Sequence, residues 1–311
     1  MIVLVTGGAG FIGSNLCEVL LKQNHDVICL DNFFTGSKKN IDHLLDYKTF
    51  EIIRHDITQQ INIESDFIVN LACPASPVHY ATDPVQTVRT NVIGALNVLE
   101  TARRLKVPVL QASTSEVYGD PTISPQSEEF FGNVNPIGPR ACYDEGKRCA
   151  ETLFYDYNRQ YNVDIRVARI FNTYGPRMSP SDGRVVSNFI VQALTDRALT
   201  VYGDGNQTRS FCYIDDMVDA LIRMINLKEA TKKPINLGNP LEINIGELSE
   251  KIISKARQDC KITYKPLPQD DPKQRCPDIT LAKSVLDWTP STSLDAGLDK
   301  TISYFKKIIK V

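Results

Sequence analysis

The stretch VLVTGGAGFIGSN, Val3 to Asn15, decides the fold. Its apolar, β-branched start reads as a strand. It runs straight into Gly7, Gly10 and Gly13, and then into a helical pattern with apolar residues at Leu16, Val19 and Leu20. Each glycine at this spacing has its own reason. The first permits a tight turn, the second lets a pyrophosphate approach the backbone, and the third lets the helix pack closely on the strand. The free N–H groups at the start of the helix then face the phosphates. A glycine triplet alone is often only a turn. Here it also has an acid, Asp31, at the end of the next strand, 18 residues beyond Gly13. That is close to the offset of about 20 residues expected of a carboxylate that holds a ribose. The pattern implies a bound dinucleotide. A carboxylate at this place repels the 2′-phosphate of NADP and favours NAD. Lys38 and Lys39 follow shortly and leave NADP open, although a solvated charge pair is their plainer reading.

Working outward, β-rich runs recur at 26–31, 50–56, 67–72 and 108–113, with helical patterns such as 84–105 between them. This alternation implies an α/β fold of Rossmann type, a doubly wound parallel sheet with right-handed crossovers. After about Ile170 glycine and proline become frequent and the texture changes. Residues 172–186 read as loop, 199–205 and 262–268 as short strands, and 246–256 and 294–309 as helices. The expected division is an NAD-binding domain over 1–171 and a smaller mixed α/β substrate-binding domain over 172–311. Within the latter, about 208–240 is expected to pack back on the first.

The bulk numbers exclude several classes of function. The chain has 311 residues and a formal charge of −2, so no global field favours nucleic acid or an anionic membrane. No run approaches the roughly 20 apolar residues that span a bilayer. The N-terminus lacks the basic region and cleavage site of a signal peptide. Eight cysteines are scattered without a C-x-x-C, and there are only four histidines, so no metal is expected. Reduced, buried thiols are the plain reading and point to the cytoplasm.

Tyr143 and Lys147 lie four residues apart in ACYDEGKRCAETLFYDY, a helical pattern, and so share a face. Tyrosine, with an ordinary pKa of about 10, is a poor base near neutrality. A nearby ammonium and the positive ring of an oxidised nicotinamide would favour the phenolate. Tyr143 would then take a hydroxyl proton while hydride leaves the same carbon. Lys147 would also bind the nicotinamide ribose. The spacing alone is common, and a surface pair is its default. The glycine loop upstream and Thr114, 29 residues before Tyr143, turn it into a site. Asp56 ends another strand, where it either hydrogen-bonds an adenine or caps a turn.

TGGAGFIGSN, DNFFTG, HDI, NLACPAS, TNVIGALNVLE, STSEVYGDP, YDEGK, RIFNTYGPR and QTRSFCYIDDMVDAL together resemble, over nearly the whole chain, the extended short-chain dehydrogenase/reductases that modify nucleotide sugars. That resemblance implies a catalytic triad of Thr114, Tyr143 and Lys147 and an NAD that stays bound through the cycle. For the cofactor it implies Gly7, Gly10, Phe11, Ile12 and Gly13 at the phosphates and Asp31, Asn32, Thr35 and Gly36 at the ribose. Asp56, Ile57, Leu71, Ala72 and Thr90 complete that set, with Tyr143 and Lys147 at the nicotinamide. Within the family, LACPASPVHY, NPIGPRACYDEGKR, GPRMSPSDGRVVSNFI and LPQDDPKQRCPDI look most like the members that remove carbon dioxide from UDP-glucuronate and yield UDP-xylose.

Ser115 and Glu116 sharpen that choice. The family's sugar 4,6-dehydratases carry Asp-Glu after the triad threonine; the Asp protonates the departing C6 hydroxyl and the Glu works at C5. Here Ser115 fills the Asp slot, so elimination of water loses its acid and a substrate carboxylate meets no like charge. Simple 4-epimerases usually lack the acid at Glu116. A dehydratase or a 4-epimerase is therefore the alternative, and a hydrogen-bonded loop pair is the plain reading of Ser115 and Glu116. On the substrate side the resemblance implies Arg209 and Arg275, suited to forked contact with anionic oxygens, with Arg275 near the sugar carboxylate. It adds Asn172, Arg184, Tyr202 stacked on the uracil, and Arg89 reaching substrate or cofactor phosphates. Each of these has a surface ion pair or a core role as its alternative. The apolar faces of 91–102 and 146–161 pack on the sheet in the plain reading; the resemblance makes them a four-helix homodimer contact.

Overall fold

The computed structural model of the chain describes residues 1–257, 259–267 and 274–310. Strand β1 (Ile2–Thr6) leads through the glycine turn into helix α1 (Phe11–Lys22). Strands β2 (Asp26–Asp31), β3 (Phe50–Arg54) and β4 (Phe67–Asn70) follow. The segment expected as one helix over 84–105 is three pieces. After the single turn α2 (Pro77–Tyr80) come α3 (Pro84–Arg89), a wider π turn over Thr90–Gly94, and α4 (Ala95–Leu105). Asp83 caps α3 by accepting from Gln86 N at 2.9 Å, with Pro84 at the first helical position. The break has a local cause: Thr90 Oγ1 donates to Gln86 O and Asn91 Nδ2 to Thr87 O, which engages carbonyls of the helical ladder. Such π turns often mark functional sites.

Strand β5 (Val109–Thr114) is buried along its whole length, as a strand covered on both faces must be. Then come α5 (Ala141–Tyr161), β6 (Ile165–Ile170) and β7 (Thr173–Tyr174). The second half continues with α6 (Val185–Leu194), β8 (Leu199–Tyr202), β9 (Thr208–Ser210), β10 (Cys212–Tyr213) and α7 (Ile214–Ile225). It closes with β11 (Ile235–Leu237), β12 (Glu242–Asn244), α8 (Ile245–Ala256), β13 (Ile262–Lys265), α9 (Thr280–Leu286) and α10 (Leu294–Ile309).

Seven strands form one parallel sheet in the order β11-β6-β5-β4-β1-β2-β3. The order reverses between β1 and β4, and a ligand crevice lies at that point, outside the carboxyl ends of the strands. The doubly wound sheet expected from the glycine loop is present. Its seventh strand, β11, comes from the second half; three residues are too few to announce a strand by pattern. Among the described residues there are also three two-stranded pairs, β7 with β10, β9 with β12 and β8 with β13, and residues of β7, β8 and β9 line the crevice. Helix α7 packs on α1. Its Asp216 side chain accepts from Ser291 N at 3.1 Å and Thr292 N at 3.0 Å, and its carbonyl accepts from the buried Trp288 indole. These bonds tie the C-terminal segment to the body of the protein.

Candidate active site

A cleft of about 1220 Å³ runs along the carboxyl ends of the strands. At one end the residues fit a dinucleotide. Gly7 turns with φ of +69°, and a Cβ on Gly13 would lie 2.2 Å from the Gly7 carbonyl oxygen, so the chain there tolerates only glycine. The N-terminus of α1 opens onto the cleft, lined by Gly10, Phe11, Ile12 and Gly13. Asp31 ends β2 and is buried. Its Oδ2 accepts from Ala9 N at 3.0 Å and its Oδ1 from Phe33 N at 2.8 Å. Burial pushes its carboxyl upward, while those two N–H groups oppose the shift. Asn32, Thr35, Asp56, Ile57, Leu71, Ala72 and Thr90 line the same end, and Gly36 lies against Asp31. Asp56 also caps its own turn: Oδ1 accepts from Thr58 N at 2.9 Å and Oδ2 from Asn32 Nδ2 at 3.0 Å. These bonds are those of the turn-capping reading, and the side chain also lines the cleft.

At the other end β5 and α5 bring Thr114, Tyr143 and Lys147 together. Tyr143 is buried, stacked on Tyr80 with centroids 5.1 Å apart and planes 8° apart. The Lys147 ammonium sits 5.9 Å from the Tyr143 ring centroid and donates to Ala112 O at 2.8 Å. Burial pushes the Tyr143 phenol well up, with the nearby Cys73 acting in the same direction; a hydrogen bond with Thr114 and the charge of Arg184 act against it. The ammonium expected to make Tyr143 acidic is engaged with a carbonyl instead. Burial also lowers Lys147, while Cys73 and Glu151 hold its proton on.

Ser115 and Glu116 open the short turn Ser115–Tyr118 that leaves β5. Glu116 Oε2 accepts from Arg140 at 2.6 Å and from Arg275 at 3.0 Å. Burial raises its carboxyl, but the charges of Arg275, Arg140 and Arg209 outweigh it, and the net shift is downward. Glu116 is therefore ionised at neutral pH. Arg275 is itself buried and braces this turn, donating to Ser115 O at 2.7 Å and Gly119 O at 3.1 Å. Arg140 and Tyr80 belong to this corner without having been singled out in the sequence. The only signal for Arg140 is its place three residues before Tyr143.

Asp144, next to Tyr143, is buried, and its Oδ1 has no hydrogen-bond partner among the described residues. Burial and the Glu116 carboxylate push its carboxyl up to about 7, against Arg140 and Arg275. A raised folded-state pKa favours the folded protein at low pH, and that contribution is lost as pH rises through 7. Asp144→Asn removes the loss. The variant should gain melting temperature over the parent at pH 8 and little at pH 5; thermal melts showing a pH-independent difference would contradict this.

Asn172, Arg184, Tyr202 and Arg209 line the cleft on the side of the second half. Arg184 is forked to Asp182, at 2.6 and 2.8 Å. Arg89 is exposed on α3 and is not among the cleft-lining residues. In LPQDDPKQRCPDI, residues 268–273 lie outside the described residues, and Arg275 lies within them.

Residues 3–246 match the NAD dependent epimerase/dehydratase family. The chain is 54% identical over 96% of its length to UDP-glucuronic acid decarboxylase 6 of Arabidopsis thaliana, covering 87% of that protein. It is 52% identical over 98% of its length to UDP-glucuronic acid decarboxylase 1 of Xenopus tropicalis, covering 72% of it. Among solved structures, UDP-glucuronic acid 4-epimerase from Bacillus cereus, in complex with UDP-glucuronic acid and NAD, is 30% identical with a TM-score of 0.89. That match covers 99% of this chain and 100% of the other.

Proposed function

The chain belongs to the NAD dependent epimerase/dehydratase family, and from that premise we propose that it converts UDP-glucuronate to UDP-xylose and carbon dioxide with NAD as a bound cofactor. The corner at Ser115 and Glu116 carries the reading: a serine stands where loss of water would need an acid, beside a carboxylate kept ionised by arginines.

Bound NAD would supply a reversible two-electron acceptor for C4 of the sugar. Gly7, Gly10 and Gly13 would cradle its phosphates, Asp31 would hold its adenine ribose, and Lys147 would reach its other ribose. As the phenolate that the positive ring of bound NAD would favour, Tyr143 accepts the proton of the 4-hydroxyl while the C4 hydrogen leaves as hydride, and the two losses together make the sugar a β-keto acid. Loss of carbon dioxide then sends its electrons into the new carbonyl. Thr114 and Tyr143 donate hydrogen bonds to that oxygen as charge grows on it. Having taken the 4-hydroxyl proton, Tyr143 is a phenol, the form that burial favours, and is a ready donor at this stage. Glu116, being ionised, serves as an acceptor on the C5 side that orients a water, and solvent through that water supplies the proton that takes the place of the lost carboxylate at C5 before C4 is reduced again. Ser115 donates a hydrogen bond toward the substrate carboxylate. Arg209, Arg184, Asn172 and Tyr202 hold the nucleotide diphosphate and uracil.

Further features bear on assembly and compartment. Val85, Val88 and Ile93 on α3 and the π turn and Tyr161 at the end of α5 are exposed apolar side chains, which suits a homodimer through these helices. All eight cysteines are free, which suits the cytoplasm. Among the described residues no helix is long and apolar enough to cross a membrane. Residues 1–171 hold the cofactor and 172–311 the substrate in this reading, with β11 and α7 returning to the first unit.

The test is incubation with UDP-glucuronate without added NADH. Carbon dioxide and UDP-xylose in equal amounts are expected. Recovery of the 4-epimer with the carboxylate intact would make it an epimerase, and turnover of dTDP-glucose instead would make it a dehydratase.

A further inference from the structure

Behind the triad, between β5, β6 and α5, lies a buried polar network that the mechanism above does not use; of Ser113, Glu151, Arg169 and Tyr118, only Ser113 lines the cleft. Glu151 sits on α5 one turn after Lys147 and two turns after Tyr143, on the same buried face. It does not line the cleft. Arg169 on β6 grips it with a fork, Nε to Oε1 at 2.9 Å and a terminal nitrogen to Oε2 at 2.7 Å. Ser113, the residue before Thr114, donates to Oε1 at 2.5 Å. The other guanidinium nitrogen of Arg169 donates to the Tyr118 hydroxyl at 2.9 Å, and Tyr118 donates to Asn236 Oδ1 of β11 at 2.7 Å. Tyr118 closes the turn that begins with Ser115 and Glu116. The network thus joins the helix carrying Tyr143 and Lys147 to the strand and turn carrying Thr114, Ser115 and Glu116.

We propose that Glu151 is a positioning residue for the reaction at C4: with Arg169 and Ser113 it fixes α5 against β5, and it is the buried counter-charge that keeps Lys147 an ammonium ion. The second half of this rests on placement as well as on charge. Lys147 is faced by Cys73 from the loop after β4, by Tyr143 and Glu151 on α5, and by the Ala112 carbonyl from β5. Glu151 is the carboxylate among them. Glu151 in turn is faced by Ser113, Arg169 and Tyr155. A buried ammonium without a counter-charge loses its proton at lower pH. An acid one turn away on the same face, itself held by a guanidinium on its far side, supplies that charge without occupying the cleft.

The inference rests on the functional reading only in taking Tyr143 and Lys147 as the group that oxidises C4. It is measured on whichever nucleotide sugar the protein oxidises, so a failure of the reading appears in the product and a failure of the inference in the pH profile. Glu151→Gln should move the alkaline fall of kcat/KM down by about one pH unit, because Lys147 loses its counter-charge and faces an unbalanced Arg169. Arg169→Met leaves Glu151 charged and should leave that limb in place or move it up. Two changes that merely loosened packing would act in the same direction. Ser113→Ala is the mildest variant; it should melt near the parent temperature yet lose about 3- to 10-fold in kcat with KM unchanged, since misplacement of catalytic groups acts on the transition state. A Ser113→Ala enzyme with parental kcat would overturn the positioning role, whether or not the other two variants fold. An alkaline limb unmoved in a folded Glu151→Gln would overturn the counter-charge.

Discussion

Tyr143→Phe should lower kcat for UDP-glucuronate about 10³-fold, the loss expected when a positioned acid–base group is removed. The phenyl ring keeps the stack on Tyr80 at 5.1 Å, so the local fold has no reason to change. What disappears is the oxygen to which the proposed cycle gives two steps, proton acceptance from the 4-hydroxyl and donation to the oxygen that carries charge during loss of carbon dioxide. KM should change little, because an interaction strongest in the transition state is lost mainly from kcat. Release of carbon dioxide from labelled substrate, followed beside NAD binding and thermal melting, separates the outcomes. A variant that binds NAD, melts normally and still turns over within tenfold of the parent would remove Tyr143 from its role.

Ser115→Asp should raise KM for UDP-glucuronate about 10²-fold while leaving the affinity for UDP unchanged. Ser115 is 2% exposed, so an added carboxylate would meet the substrate carboxylate with little water between them. Two like charges about 4 Å apart repel by about 4 kcal/mol at the effective dielectric of a partly buried site, and the arginines around Glu116 offset part of that. UDP-glucose, which lacks the acid, should bind the variant as well as it binds the parent. Calorimetry with the two sugars makes the comparison, and equal losses for both would place the carboxylate elsewhere.

The cofactor end was readable from the sequence because local geometry dictates it. A positive φ at Gly7, a contact only glycine allows at Gly13 and an acid at the end of β2 are each tied to one residue type at one spacing. Tyr143 and Lys147 were readable because a helix places them one turn apart. The arginine corner was less so. Arg140 and Arg275 reach Glu116 from positions 24 and 159 residues away, and no periodicity links them. Arg89 shows the reverse limit, since a helical pattern does not say which way a long side chain leaves α3. The break at Thr90–Gly94 was hidden because hydroxyl and amide groups that bond back to the ladder look like ordinary helix residues in a pattern of apolar positions. β11 was hidden by its length. The Ser113–Glu151–Arg169 network joins residues 38 and 18 positions apart and became visible only once β5, β6 and α5 were packed together.

The Asp31 carboxylate that the proposed function sets at the adenine ribose already holds two backbone amides, and this constrains anyone wishing to re-engineer the enzyme for NADP. The obvious exchange is a neutral or basic residue at 31 to welcome the extra phosphate. That exchange also releases the Ala9 and Phe33 amides, which anchor the glycine turn and hold the loop after β2. Phe33 already has a left-handed backbone, φ of +61°, and would lose the bond that secures it. Cofactor preference and the shape of the cradle are therefore coupled through this side chain. A switch of preference needs a replacement acceptor for those two amides in the same step, and a library varied at position 31 alone will select for poor binders of both cofactors.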